Sequence, residues 1–450
     1  MIETLVGFNW TPVIISLVSF IPMLIFLVVV HELGHFFTAK WFGVKVLEFG
    51  IGYPPRALGF YTGRTEVLTN ENTEFINISG LEDLKLGTVI KISSLEDENG
   101  NLVSRIIEAP QKQSNLNKTK PFQEASTDQL LNHTGKVREI SSDRFVISDM
   151  LYSLNWTPLG GFVRLAGENN PSVPRSLAGK GTGARAIVLS AGSFMNAILP
   201  IIIFTILFMI PQDKTFGNVV VTQVFPESPA QFVGIQSGDI ILQADGDKVD
   251  NLNDLVRLIN FNSGSEIQLV IERAGTQIRM DITPRINPPV GQGPTGISID
   301  LYNPTEKRVS HPPWTAVYHG VNDTWELLIL LKREIFSWIS GYKSPELSGP
   351  IGIAQVTGEV TQEGGYRGWL VLAILFSVNL AILNILPIPM LDGGRLLFVI
   401  IEWIRRGKRI PPEKENLVHL VGFAVLIVLI ILISTNDINR LLQGNSLLGG

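Results

Sequence analysis

Val28-Val-Val-His31-Glu32-Leu33-Gly34-His35-Phe36-Phe37 is the stretch on which the reading of this chain turns. The residues before it, from Pro12 onward, are apolar except for Ser16 and Ser19. As one helix from Thr11 to Lys40 the run is roughly 45 Å long at about 1.5 Å per residue. A bilayer's hydrocarbon core is about 30 Å thick. Ionisable side chains near the centre of such a helix each cost about 2.5–3.5 kcal/mol or more, so those present usually have a function. His31 and His35 stand four apart, which puts both imidazoles on one face, able to grip one metal ion. Glu32 lies about 100° further round. From there it reaches a water on the metal without ligating it, the arrangement of a zinc hydrolase with two His ligands and a Glu base. Chance produces the same spacing on soluble helices, but an apolar span selects against it. Of the six histidines, no other two are closer than the eight residues separating His311 and His319.

The totals frame this stretch. The 450 residues are 45% hydrophobic, with a formal net charge of −5, and the mean hydropathy is +0.25. These values suit a few membrane spans joined to extramembrane domains, and they carry no basic footprint for nucleic acid. With no cysteine, disulfides and thiolate ligands are excluded, and zinc must take N and O donors. The first residues lack a basic region and include Glu3, so no cleavable signal peptide is expected.

Along the chain, Phe49 to Arg56 carries clustered Gly and Pro and reads as a loop or tight turn. Residues 59–153 form a polar, β-rich insertion, with strand-like Thr88–Ser93 and Arg144–Ser148. By composition 111–135 is its least structured part. Trp156 to Gly167, with Gly160-Gly161 between apolar residues, reads as a short hairpin inside a linker over 154–185. A second span, 186–210, contains Asn196, read either as helix–helix glue with Gly192 or as a substrate or oxyanion contact. Residues 217–284 look soluble, with four strand-like runs around a helix at Leu252–Ile259. Over 285–368 a Pro/Gly-rich linker, with a strand-like Gly296–Asp300 inside it, precedes an amphipathic helix from Trp314 to Ile339, read either as lying on a membrane surface or as an ordinary packed helix.

The third span, Trp369 to about Leu386, runs into Asn384-Ile-Leu-Pro387-Ile-Pro389-Met390-Leu391-Asp392-Gly393-Gly394. Two prolines two apart cannot continue a helix, so the chain becomes extended at the membrane face. Asp392, beside two glycines, is then the natural third ligand, leaving a fourth place for water. After a basic loop, a fourth span covers Leu417–Ser434, with His419 read as a helix-end residue without a partner. Lys40, Lys45, Lys180 and Arg185, and again Arg395, Arg405, Arg406, Lys408 and Arg409, mark two cytoplasmic loops. The termini and 211–368 then lie outside a plasma (inner) membrane, and all three ligands fall near its cytoplasmic face.

Taken together, these pieces resemble the site-2 protease family of intramembrane zinc metalloproteases, of the regulator-of-sigma-E type. The motifs are His31–His35, Pro158–Leu165, Gly192–Asn196, Leu347–Gly352 and Asn384–Gly394. The resemblance implies four transmembrane helices, a membrane-associated β-hairpin and an inserted α+β PDZ domain over 217–284. It implies Zn2+ on His31, His35 and Asp392, with Glu32 as base. It further implies that Asn384 and Asn379 position the substrate, joined by Asn196, Gly160 and Gly161. The implied reaction is regulated intramembrane proteolysis of single-span proteins such as an anti-sigma factor, or of signal peptides. A peptide or protein partner at the PDZ domain, or its use as a size filter, follows in the same way. Segment 59–153 exceeds the family's compact members, and Ser193 stands where proline is common. Competing classes are a non-catalytic membrane scaffold and a metal transporter, the latter needing more polar residues than spans two and four offer.

Overall fold

The computed structural model describes residues 11–110, 129–289, 291–341 and 348–442. The expectations placed on residues 1–10, on 111–128 and on Leu347 lie outside these. Two compact units form the chain: Met1–Pro200 with Leu347–Gly450, and Ile201–Glu346.

The first unit opens with α1 (Thr11–Trp41), a single apolar helix containing Pro22. β1 (Val46–Thr62) leaves it and pairs antiparallel with β8 (Met150–Leu165). Both strands fold back on themselves. Gly50 pairs with Phe162 on one side and Ser153 on the other, and Phe60 pairs with Tyr152. The expected loop at Phe49–Arg56 is therefore strand with a bend at Tyr53–Arg56. The expected hairpin over 156–167 has a different partner: Gly161, Phe162 and Val163 pair with Ile51, Gly50 and Phe49. Its Gly pair is a bend followed by a close approach, and segment 161–165 becomes a sheet edge.

Between β1 and β8 sits a small barrel. It is built from β2 (Thr65–Leu68), β3 (Glu74–Ile76), β4 (Val89–Glu96), β5 (Leu102–Glu108), β6 (Leu131–Ile140) and β7 (Arg144–Ser148). The order β2-β7-β6-β4-β5 closes through parallel β5–β2 pairing, and β3 adds to β5. Val67, Ile92, Leu102, Ile107, Leu131, Phe145 and Ile147 fill it, as strands with alternating apolar side chains require. Below the barrel, Lys45 meets Asp149 at 2.7 Å. The Asp149 carboxylate also accepts from the Thr65 hydroxyl and the His133 Nδ1–H, while His133 Nε2 accepts from Ser94 at 3.1 Å. Ser94 is fully buried, so this Ser–His–Asp chain is a structural brace that no substrate reaches.

α2 (Thr182–Met209) then leads into the second unit. Here β9 (Gln212–Val224), the short α3 (Pro229–Phe232), β10 (Ile240–Ala244), β11 (Asp247–Lys248), α4 (Leu252–Phe261), β12 (Ile267–Arg273), β13 (Thr276–Ile282) and β14 (Ile297–Val309) follow. The sheet order is β13-β12-β10-β9-β14, with β11 on β10. Val219, Val221, Ile241, Leu255, Leu269 and Ile271 are its core. Residues 285–315 are not simply a linker, because β14 pairs with β9 from Ile297 to Val309. The sheet thus extends well past residue 284. α5 (Pro313–Ile339) completes the unit, with Trp314, Trp325 and Phe336 exposed.

The chain returns to the first unit as α6 (Pro350–Ile385), α7 (Asp392–Ile404) and α8 (Pro412–Leu442). α6 starts about five turns before the expected Trp369 and is broken at Gly365, whose φ is +58°. Pro22 removes one rung of the α1 ladder. The neighbouring Ser19 carbonyl accepts from the Trp369 indole at 2.9 Å, and Gly358 leaves no room for a side chain against Ser16. α1, α2, α6 and α8 are long and apolar enough to cross a membrane.

Candidate metal centre

His31 and His35 project from the last turns of α1 toward α2, which crosses close by because both helices carry glycine there. A Cβ on Gly34 would lie 2.3 Å from the Ala191 carbonyl oxygen, and one on Gly192 would lie 2.5 Å from Nε2 of both histidines. Asp392 arrives from the far end of the sequence. After α6 the segment from Leu386 to Leu391 folds back over the start of α7. Gly393 and Gly394 have no space for a Cβ against the carbonyls of Leu386 and Ile388. Positive φ at Met390, +78°, completes the turn, and Asp392 is the first residue of α7.

The Asp392 Oδ2 atom lies 2.9 Å from His31 Nε2 and 3.1 Å from His35 Nε2, and the two nitrogens are 3.2 Å apart. Among the described residues these three form the one cluster of His, Cys, Asp or Glu able to share an ion. A tetrahedral zinc ion with bonds of about 2.0–2.1 Å separates its ligand atoms by about 3.3 Å, so the donor set fits. The tautomers agree. His35 Nδ1–H donates to the Val188 carbonyl at 2.8 Å, which leaves its Nε2 lone pair for a metal.

Asn196 is fully buried, its amide 3.5 Å from His31 Nδ1 and its carbonyl accepting from the Ser377 hydroxyl at 2.7 Å. Its Oδ1 has no partner. A His31 that ligates through Nε2 carries its proton on Nδ1 and needs an acceptor there. Turning the amide so that Oδ1 faces Nδ1 satisfies both atoms, and amide orientation is an assignment. Of the two readings of Asn196, helix–helix glue and substrate contact, the structure shows a side chain with no exposed surface, packed behind His31.

Glu32 is half-buried beside the centre, where its carboxylate meets the Val163 backbone N–H on the β8 edge. Gly161 brings that edge in: its Cβ position is 3.7 Å from Glu32 Cγ and 3.0 Å from the Gly50 carbonyl. Gly160, with φ of +87°, lies against the Tyr53 ring. Asn379 and Asn384 are half-buried in the second half of α6, and their side chains make no hydrogen bond among the described residues. His419 is not partnerless, because its Nδ1 accepts from the Met390 N–H at 2.9 Å. Gly192, the Asn196–His31 pair and this bond gave no signal beyond a Gly and an Asn four apart, since each contact joins remote helices.

Two imidazoles and a carboxylate closing on one point, with a glutamate on the adjacent residue and long apolar helices carrying them, define an integral membrane metalloprotease. The chain belongs to peptidase family M50, whose pattern matches residues 19–124 and 137–429. Among its relatives, zinc metalloprotease RasP of Oceanobacillus iheyensis is 33% identical over 438 residues, 95% of this chain and 99% of the relative. Zinc metalloprotease RasP of Geobacillus kaustophilus is 31% identical over 441 residues, 94% and 98% of the two chains. Regulator of sigma-W protease RasP of Bacillus subtilis is 29% identical over 440 residues, 95% and 99%. The solved PDZ domain of an SdrC-like protein from Listeria monocytogenes is similar over 18% of this chain and 86% of its own, at 22% identity and a TM-score of 0.17. The chain is thus a zinc metalloprotease, and zinc is its metal.

Proposed function

We propose that this protease cuts peptide bonds within the membrane-spanning segments of single-span proteins, near the cytoplasmic face of the plasma membrane. The observation that carries the reading is the meeting of His31 and His35, on a helix able to span a bilayer, with Asp392, in the turn that follows another, within 3.2 Å. His31, His35 and Asp392 hold the metal, which when bound supplies Lewis acidity to the scissile carbonyl and to the attacking water. Glu32 takes the proton of that water and returns it to the leaving amine. Asn196 and the Val188 carbonyl keep the two rings in their ligating tautomers.

A transmembrane helix hides its peptide bonds in internal hydrogen bonds, so the substrate must unwind before it is cut. The 161–165 edge of β8 runs past Glu32. It offers backbone groups to an extended substrate as an added strand, and Asn379 and Asn384 of α6 help to position that substrate. Basic residues from Lys40 to Arg185 and from Arg395 to Arg409 support a cytoplasmic barrel and an extracytoplasmic 212–309 sheet domain. That domain is PDZ-like. It either binds a peptide partner or keeps intact ectodomains from the site. The similarity to a regulator of sigma-W protease supports a signalling substrate such as a membrane-anchored anti-sigma factor.

Cleavage of a reporter transmembrane helix by reconstituted wild type and Glu32→Gln tests the reading. Glu32→Gln should keep its zinc and lose cleavage. Undiminished cleavage would remove the protease assignment to this site, and a scaffold role would then fit the chain better.

A further inference from the structure

The turn that delivers Asp392 has internal hydrogen bonds, among them Ile388 N–H to the Leu386 carbonyl at 2.7 Å, but it leaves the Met390 amide to an outside partner. Pro387 and Pro389 lack N–H groups, and Met390 sits at φ +78°, a left-handed conformation that costs a side-chain-bearing residue about 1–2 kcal/mol. Such a conformation persists only where neighbours fix it. Within the turn, Leu391 N–H reaches the Ile388 carbonyl at 3.2 Å and Gly394 N–H reaches the Leu391 carbonyl at 3.0 Å. The Met390 N–H points away from both, to Nδ1 of His419 on α8, 2.9 Å away.

None of the most apolar window of α8 is buried, and near its other end the buried Asp437 accepts from the Gly352 N–H of α6 at 2.9 Å. Where α8 touches the turn it is shaped for it. Gly422, three residues after His419, has a Cβ position 2.2 Å from Pro389 Cβ, so only glycine lets Pro389 lie there. The His419 side chain is 13% exposed and packs its ring 5.6 Å from Phe398. Its Nε2 finds no hydrogen-bond partner, with Glu415 at 3.9 Å. Among the described residues the ring therefore has one hydrogen bond, and its partner is the amide two residues before Asp392.

We propose that His419 is a positioning residue: by accepting the Met390 N–H it fixes the turn that presents Asp392 to His31 and His35. The proposal rests on the reading of Asp392 as a metal ligand. It assigns α8 a part in the centre although none of its side chains reaches the three ligating atoms.

Zinc affinity by chelator competition, with kcat and KM on a reporter transmembrane helix, tests this in the purified full-length protein. His419→Phe keeps the ring and removes the acceptor. His419→Asn keeps an acceptor on Cγ, close to the place of Nδ1, and His419→Gln moves it one carbon further out. His419→Phe and His419→Gln should each weaken zinc binding by about 10-fold, the lower end for loss of a ligand-orienting contact, and lower kcat with KM little changed. His419→Asn should restore both to within about threefold. Equal losses in Asn and Phe, or wild-type zinc affinity in Phe and Gln, would overturn the proposal. If Phe does not fold, the contrast between Asn and Gln decides alone. Asp392→Ala separates the underlying reading: wild-type zinc affinity there would sink the ligand assignment itself, whatever the His419 variants show.

Discussion

Gly192→Ala is the smallest change that should empty the centre. The added methyl carbon would lie 2.5 Å from His31 Nε2, His31 Cε1 and His35 Nε2, whereas ordinary contact begins near about 3.4 Å in a close-packed interior. α2 must therefore back away from α1 by about 1 Å, or the rings must turn. Neither movement is free. His35 is tied to the Val188 carbonyl on α2 itself, and Gly34 already touches Ala191 with no gap. Overpacking of this kind costs about 1–3 kcal/mol, and a misplacement of about 1 Å at a reacting centre costs about 100-fold in rate. The assay is zinc per chain by elemental analysis, together with reporter cleavage, on protein shown to be monodisperse. Gly183→Ala, in the same helix with nothing within 4 Å of its Cβ position, is the control and should match wild type. Full zinc and wild-type cleavage in Gly192→Ala would refute the claim that helix approach at this glycine builds the centre.

Two further outcomes follow from the same geometry. Asn196→Leu removes the acceptor behind His31 and should weaken zinc binding about 10-fold or more, while Asn196→Asp, which keeps an oxygen there, should lose less; chelator competition reads both. Burial alone would raise the Asp149 carboxyl, but the His133 hydrogen bond and the Lys45 charge outweigh it and hold the group down to about 2, below its ordinary value of 3.8. Its contribution to barrel stability, about 2 kcal/mol, is complete above pH about 4 and is lost as pH falls toward about 2. Amide exchange of β4 and β6 in the full-length protein should show wild type losing protection between pH 5 and 2.5. Asp149→Asn should begin lower at pH 5 and fall no further, and equal protection in both proteins across the range would contradict the assignment.

The centre was legible in the sequence because its signals are local. Helical spacing puts His31 and His35 on one face, and two prolines before Asp392 announce a break at the membrane surface. Gly192 and Asn196 were picked out as a motif, but what they and His419 do for the centre was not legible. Gly192 matters because α2 crosses α1 there, and Asn196 because His31 lies beneath it. His419 matters because a turn 29 residues earlier in sequence needs an acceptor. None of these follows from periodicity. The hairpin over 156–167 was misread for a related reason. Alternation identifies strands but not partners, and a Gly pair that marks a turn in one setting marks close approach to Gly50 and Glu32 here. Only the start of β14 was legible, as strand-like Gly296–Asp300, and its length was not. The Pro- and Gly-rich residues before it look like a linker, and its second half is exposed and charged because it lies on a sheet edge. α7 was taken for a basic loop, since it is only 13 residues long, with Arg395 in its first turn and Arg405, Arg406, Lys408 and Arg409 just past its end.

X-ray absorption at the zinc edge of purified Glu32→Gln, which should hold metal without turnover, tests the central claim most directly. The account expects about one zinc per chain, N and O scatterers at about 2.0–2.1 Å, and the outer-shell pattern of two imidazoles. His31→Ala or His35→Ala should remove one imidazole or the metal altogether, and Asp392→Ala should lower occupancy sharply. A spectrum without imidazole scattering, or one left unchanged by these substitutions, would contradict it.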